Sequence, residues 1–250
     1  MKLPISLAAL LLAASAHAQT YTVICVKATC GHLKVTATAA RMETDYSFRD
    51  NGRGPDQKET LAFAPDGTWL SYRTEGVATY GARIDESFER QADGKAVWRS
   101  PVDRGEQPAA AREAVYVPVQ NTPALTARLA QSLLARGGQR TEALPVGKLS
   151  VERVQRLTVR GVDVGLYAID GLGLEPSYVW LREDNQALFA EVWPGWGGTI
   201  AQGFDGELDR LNDAQKSAQL VRLQRLAKEI PQPLPGLTVI ENVRWFDAPA

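Results

Sequence analysis

The chain has 250 residues, of which 44% are hydrophobic and 23% charged, enough for one large or two small globular domains. Twenty-eight Lys and Arg face 29 Asp and Glu, a formal net charge of −1, and no acidic or basic tail stands out. This balance supplies no electrostatic basis for binding DNA, RNA or an anionic membrane surface.

Residues 1–18 read as a secretory signal. Lys2 provides a positive start, residues 7–14 an apolar stretch, and Ala16-His17-Ala18 a small-x-small cleavage site that leaves Gln19 as the mature N-terminus. The apolar stretch is too short to span a bilayer, so no membrane contact is expected after cleavage. The expected location is periplasmic or secreted. Cys25 and Cys30 both fall in the mature region, and an exported chain meets an oxidising compartment. With a two-residue turn at Lys27-Ala28, Cys25 faces Cys30, and opposed Cβ atoms lie about 4.5–5.5 Å apart. A disulfide prefers roughly 3.5–4.5 Å, so a bridge is feasible there with some strain. The C-x4-C spacing is not that of a thioredoxin-like redox site.

From residue 19 onward, alternating runs separated by turn signals predict an antiparallel meander. Residues 21–26 and 32–37 form a hairpin, followed by strands at 41–49, 58–63, 69–76, 78–88 and 96–99. Asp50-Asn51-Gly52, Asp66-Gly67 and Asp93-Gly94 supply the positive φ that tight turns require. Residues 100–113 read as a loop and 115–119 as a short strand. A helix then begins at Asn121 or Thr122, with Pro123 in its first turn and Gly137 as its stop. Leu125, Leu129 and Leu133 with Ala130 form a stripe that packs on a sheet. Strands follow at 148–160, 163–170, 177–182 and 187–192. Residues 205–230 predict a second helix, ended by Pro231, Pro233 and Pro235. The last segment, residues 237–250, alternates again and reads as a strand.

The expected fold class is α+β: a mainly antiparallel, strongly curved sheet or incomplete barrel packed on one helix, plus a second C-terminal helix and a terminal strand. The expected division is a signal at 1–18, a β-rich domain with one core helix at 19–203, a long helix at 204–230, a proline connector at 231–236, and the terminal strand.

Catalytic constellations are scarce. The two histidines are His17, which leaves with the signal, and His32. A catalytic zinc site draws on several His or Cys ligands, and no G-x-S-x-G elbow accompanies a Ser-His-Asp set. Cys30 and His32 share a strand face but lack a third orienting group. Asp85, Glu86 and Glu89 read as a solvated strand face. Neither glycine cluster, at 171–173 or 195–198, is a nucleotide-binding loop. Trp193 and Trp196, on the Gly-Pro loop 192–198, leave three readings open: contact with a neighbouring domain, a cap on the core edge, or stacking on a ligand.

Four segments carry a family resemblance: Gln19-Thr20-Tyr21-Thr22-Val23-Ile24, Asp50-Asn51-Gly52-Arg53-Gly54-Pro55, Leu174-Glu175-Pro176-Ser177-Tyr178-Val179 and Ile240-Glu241-Asn242-Val243-Arg244-Trp245-Phe246-Asp247. The chain resembles the N-terminal extension of exported metal-dependent amidohydrolases related to imidazolonepropionase. The resemblance implies that residues 237–250 open a β-sandwich leading to a barrel that holds zinc-like ions and hydrolyses C–N bonds. None of the barrel's ligands is present, so it implies no catalytic, cofactor-binding or metal residue here. It implies instead a non-catalytic accessory domain whose partner is an amidohydrolase barrel, missing or separately encoded. Two other expectations stand beside it: a free-standing binding or carrier module for an apolar ligand, and an enzyme working with carboxylates alone.

Overall fold

The computed structural model describes residues 17–109, 114–231, 236–239 and 241–244. The first half is a run of hairpins: β1 (His17–Cys25), β2 (Ala28–Ala37), β3 (Arg41–Phe48), β4 (Asp56–Phe63), β5 (Trp69–Val77), β6 (Arg83–Arg90), β7 (Ala96–Arg99) and β8 (Arg104–Gln107). After the short β9 (Val115–Tyr116) comes α1 (Pro123–Leu134). Then follow β10 (Thr141–Leu144), β11 (Lys148–Val159), β12 (Val162–Asp170), β13 (Ser177–Arg182), β14 (Leu188–Trp193), β15 (Gly197–Ala201), a single 3₁₀ turn and α2 (Leu208–Glu229).

These fifteen strands form one sheet in the order β8-β7-β6-β5-β4-β3-β2-β1-β15-β14-β13-β12-β11-β10-β9. Every pairing is antiparallel except β9 with β10, so the sheet is mixed. The join between its halves is β1 against β15, with Tyr21 opposite Ala201 and Cys25 opposite Gly197. Residues 195–201, rich in glycine, are thus a turn running into a central strand rather than an open loop. A Cβ at Gly197 would lie 2.0 Å from the Ile24 carbonyl oxygen, so close backbone approach accounts for glycine there.

The sheet curls without closing. Its ends, β8 and β9, each pair on one side only, yet Tyr116 of β9 stacks on Phe88 of β6 with ring centroids 4.8 Å apart. α1 lies inside the curve. Trp69 of β5 donates to the Ser132 hydroxyl at 3.0 Å on one side of the helix, while β11, β13 and β14 contact it on the other. Side-chain parity separates the two faces, reset by a bulge at Phe189 in β14. Val179, Leu181 and Leu188 join α1 in the inner core. Trp180, Phe189, Ala190 and Val192 pack outward with Leu208 and Leu211 of α2. The expected curved, mainly antiparallel sheet is present, but each face carries a helix, not one face alone.

The terminal strand is corrected. Residues 237–239 and 241–244 lie in no strand, and Leu237, Val239 and Val243 are exposed. Alternation alone suggested pairing, but these residues find no partner strand. Residue 240 and residues 245–250, which complete that expectation, lie outside the described residues, as do residues 1–16 of the expected signal. The described chain starts inside β1, where His17 and Ala18 pair with Ala37 and Thr36.

Candidate functional site

Three arrangements share the inner face of the sheet. The first lies under the N-terminus of α1. Thr122 caps the helix, accepting from the Leu125 N–H at 3.3 Å, and Pro123 occupies the first turn, where no N–H is needed. Glu59 of β4 meets this cap. It accepts from the Thr122 N–H at 3.1 Å and from the Thr122 hydroxyl. Further donors are Tyr72 Oη at 3.0 Å, Gln57 Nε2 at 3.0 Å and Thr44 Oγ1 at 3.1 Å. A carboxylate at a helix N-terminus is also favoured by the helix dipole. Burial nevertheless outweighs these donors and pushes the Glu59 carboxyl up to about 7. Nearby, Glu86 of β6 accepts from Tyr116 Oη at 2.6 Å and from the Val119 N–H at 3.0 Å, and burial raises it too. Both carboxylates direct their acceptors at groups that hold the fold, which marks them as anchors for the segment leading into α1.

The second arrangement is an aromatic rim at the end of β1 and β3. Trp193 and Trp196 have ring centroids 5.1 Å apart, and each lies 5.8 Å from Phe48. Trp196 Nε1 donates to Asp50 Oδ2 at 3.2 Å, and Trp193 Nε1 donates to Glu191 Oε1 at 3.3 Å. Desolvation raises the Glu191 carboxyl, and the Thr126 hydroxyl and Trp193 partly oppose it. The tryptophans therefore close one end of the core. Trp193 and Trp196 also line an outer cleft of about 510 Å³ against the start of α2, whose walls include Asp205, Asp209 and Asn212.

The third is a groove at the opposite end, between α1 and the beginnings or ends of β1–β4, with a volume of about 650 Å³. Tyr21, Val35, Met42, Phe63 and Leu188 supply an apolar lining, and Ala124 and Ala127 keep the helix wall low. Arg128 stands in that wall. Its guanidinium carbon sits 4.0 Å from the Phe63 ring centroid, within cation–π range. Nη1 donates to Gln131 Oε1 at 3.2 Å. Nε is enclosed and meets no acceptor among the described residues, and burial lowers the pKa of the group.

Cys25 and Cys30 are joined by a disulfide with Cα atoms 5.7 Å apart. The turn lies one residue earlier than expected, at Val26-Lys27, both at positive φ. Cys25 consequently pairs with Ala28, Ile24 with Thr29 and Val23 with Gly31, leaving Cys30 as the extra residue of a bulge. The bridge removes Cys30 as a thiolate for the Cys30–His32 pairing. His32 lies 3.6 Å from Asp45 Oδ1 on a half-exposed strand. Asp85 is an outer-face residue between Arg83 and Arg99, whereas its neighbour Glu86 points inward. Among the described residues, no group of three or more His, Cys, Asp or Glu is placed to hold a metal ion. Glu59, Glu191 and Arg128 were not singled out from the sequence. The available signal was parity: Gln57 and Glu59 occupy the same alternate positions as Leu61 and Phe63.

No family model and no curated protein matches the sequence. Two solved structures are similar. One is a DUF1089 family protein from Pseudomonas aeruginosa, 13% identical, matched over 71% of this chain and 91% of its own, with a TM-score of 0.37. The other is a β-barrel-like protein of the domain of unknown function DUF1849 from Brucella abortus, 10% identical, over 74% and 94%, with a TM-score of 0.41. These matches correct the amidohydrolase resemblance, and with it the accessory-domain and hydrolase expectations: neither structure is an amidohydrolase extension. The resemblance rested on short segments of β-rich sequence. Its most specific one, the C-terminal segment, forms no strand over its described residues.

Proposed function

We propose that this protein is a ligand-binding module that receives the apolar chain of a small amphiphile in the groove between α1 and strands β1–β4. The observation that carries this reading is the groove itself: about 650 Å³, open to solvent beside a core helix, with an apolar strip of Tyr21, Val35, Met42, Phe63 and Leu188 set among polar side chains. Small-molecule sites commonly fall in the range of roughly 300–1,000 Å³ with mostly apolar walls and few polar groups. The alanines of α1 support it, because a larger side chain at Ala124 or Ala127 would fill the space. The Trp193–Trp196 rim lies at the other end of the sheet and takes no part. The signal-like N-terminus and the Cys25–Cys30 bridge support a site of action outside the cytoplasm, where a disulfide persists.

The test is titration of the purified chain with a fluorescent long-chain alcohol. Saturable binding with a dissociation constant of about micromolar order is expected. Ala37→Trp and Ala187→Trp place bulk at partly exposed positions of the groove wall. Each should weaken binding by about tenfold, roughly 1.4 kcal/mol, without lowering the melting temperature. Absence of saturable binding, or binding indifferent to both plugs, would remove the groove as the site.

A further inference from the structure

We infer that the amphiphile bound in this groove ends in a single carboxylate and that Arg128 is the residue that reads it. This inference rests on the groove being the binding site and adds the class of head group. Among the described residues that line the groove, Arg128 is the only Arg, Lys, Asp or Glu. It forms no ion pair with any described residue: its contacts are the Phe63 ring and the Gln131 side-chain oxygen.

Arg128 is half-buried, and a charge partly withdrawn from water is held better with an anion beside it. Here the fold instead orients it. The Gln131 amide donates to the Gln186 carbonyl oxygen at 2.7 Å, which fixes its own oxygen toward Arg128 Nη1. Phe63 covers one guanidinium face. Nε is enclosed, so the donor left for a ligand, without an acceptor among the described residues, is Nη2. Nη2 of the charged guanidinium can donate a charge-assisted hydrogen bond to a carboxylate oxygen. An anionic head at Arg128 with its hydrocarbon tail along Phe63, Met42 and Val35 satisfies the charge and the apolar wall together. A neutral head group would satisfy only the wall.

The test compares oleate with oleyl alcohol, which share a tail and differ in charge, on the intact chain. Oleate is expected to bind about 10- to 100-fold more tightly, the range for a hydrogen bond to a charged group, and the gap should narrow with added salt. Arg128→Met, which keeps a flexible stem over Phe63, should abolish the gap by weakening oleate while leaving the alcohol within about twofold. Arg128→Lys should retain part of it, since an ammonium keeps the charge but not the guanidinium's placement on Phe63 and Gln131. Equal affinities of the native chain for the two ligands would overturn the inference and leave the groove reading intact, and this comparison needs no variant to fold. Equal weakening of both ligands by Arg128→Met would make Arg128 a packing residue only. If neither ligand binds, the groove reading itself fails.

Discussion

Glu59 shows what single residues contribute to this fold. Five donors converge on it from β3, β4, β5 and the α1 cap, yet burial holds its carboxyl near 7 rather than in the ordinary carboxylate range. A raised folded-state value means that folding takes up a proton between the unfolded value and about 7. The associated stability is fully present below the unfolded value and is lost as pH rises through about 7. Glu86 and Glu191 are raised in the same direction and reinforce the trend. Urea unfolding at pH 5 and pH 8 should therefore show the native chain less stable at pH 8. Glu59 alone should account for roughly 2–3 kcal/mol of that difference, each tenfold change in proton affinity being worth about 1.4 kcal/mol. In Glu59→Gln that part of the difference should vanish. An unchanged pH dependence in the variant would place the proton elsewhere. Little of this was legible in the sequence. Alternation identifies β4 as a half-buried strand, but whether its inward positions carry a hydrophobic core or a buried acid depends on what packs opposite. Here that is the N-terminus of a helix 63 residues further along the chain. Arg128 escaped notice for the same reason: a lone arginine on a helix reads as solvated until its neighbours are known.

Single elements were legible where their signals are local. α1 begins at Thr122-Pro123 and stops before Gly137, because caps and breakers act within one turn. The β1–β2 hairpin was legible as a hairpin but not in its register. Its turn residues, Val26 and Lys27, have φ of 45° and 72°, a conformation that favours Asn-Gly and that a β-branched residue rarely adopts. Symmetric placement of the cysteines was the only remaining guide, and the bulge at Cys30 broke that symmetry. The left-handed region costs about 1–2 kcal/mol for an ordinary residue, so the hairpin holds this turn against its own preference. Replacing Val26-Lys27 by Asn-Gly should raise stability by about 1–2 kcal/mol in chemical denaturation, since Val26 is 67% exposed and leaves no cavity. A neutral or destabilising result would mean that the valine side chain contributes packing that its exposure does not suggest.

At the scale of the whole molecule, strands joined by short turns could be read in order, since each is the neighbour of the next. The β1–β15 join could not, because it spans most of the chain and uses a glycine-rich strand with little side-chain signature. Alternation places both β-runs in one curved sheet without saying which strands join them, and it assigns residues 237–250 to a separate body. What covers the outer face of the joined sheet is α2, and its fully buried residues all lie in its first half. Leu208, Leu211 and Gln215 are buried, Gln215 Nε2 donates to the Val192 carbonyl oxygen at 3.2 Å, and Arg222 reaches Asp170 at 3.0 Å. Beyond Ala218 the apolar residues Leu220, Val221 and Leu223 are exposed. The helix should therefore contribute to stability through its first three turns and little through the rest. Leu211, fully enclosed in the outer core that also holds Trp180 and Phe189, should cost about 2–5 kcal/mol when cut to alanine. That lowers the melting temperature by roughly 5–15 °C in a chain of this size. Leu223→Ala, 56% exposed at the start, should stay within about 0.5 kcal/mol of the native chain. Thermal unfolding followed by circular dichroism separates the two. Comparable losses would show that α2 is anchored along its whole length, and a harmless Leu211→Ala would show that the sheet stands without its outer helix.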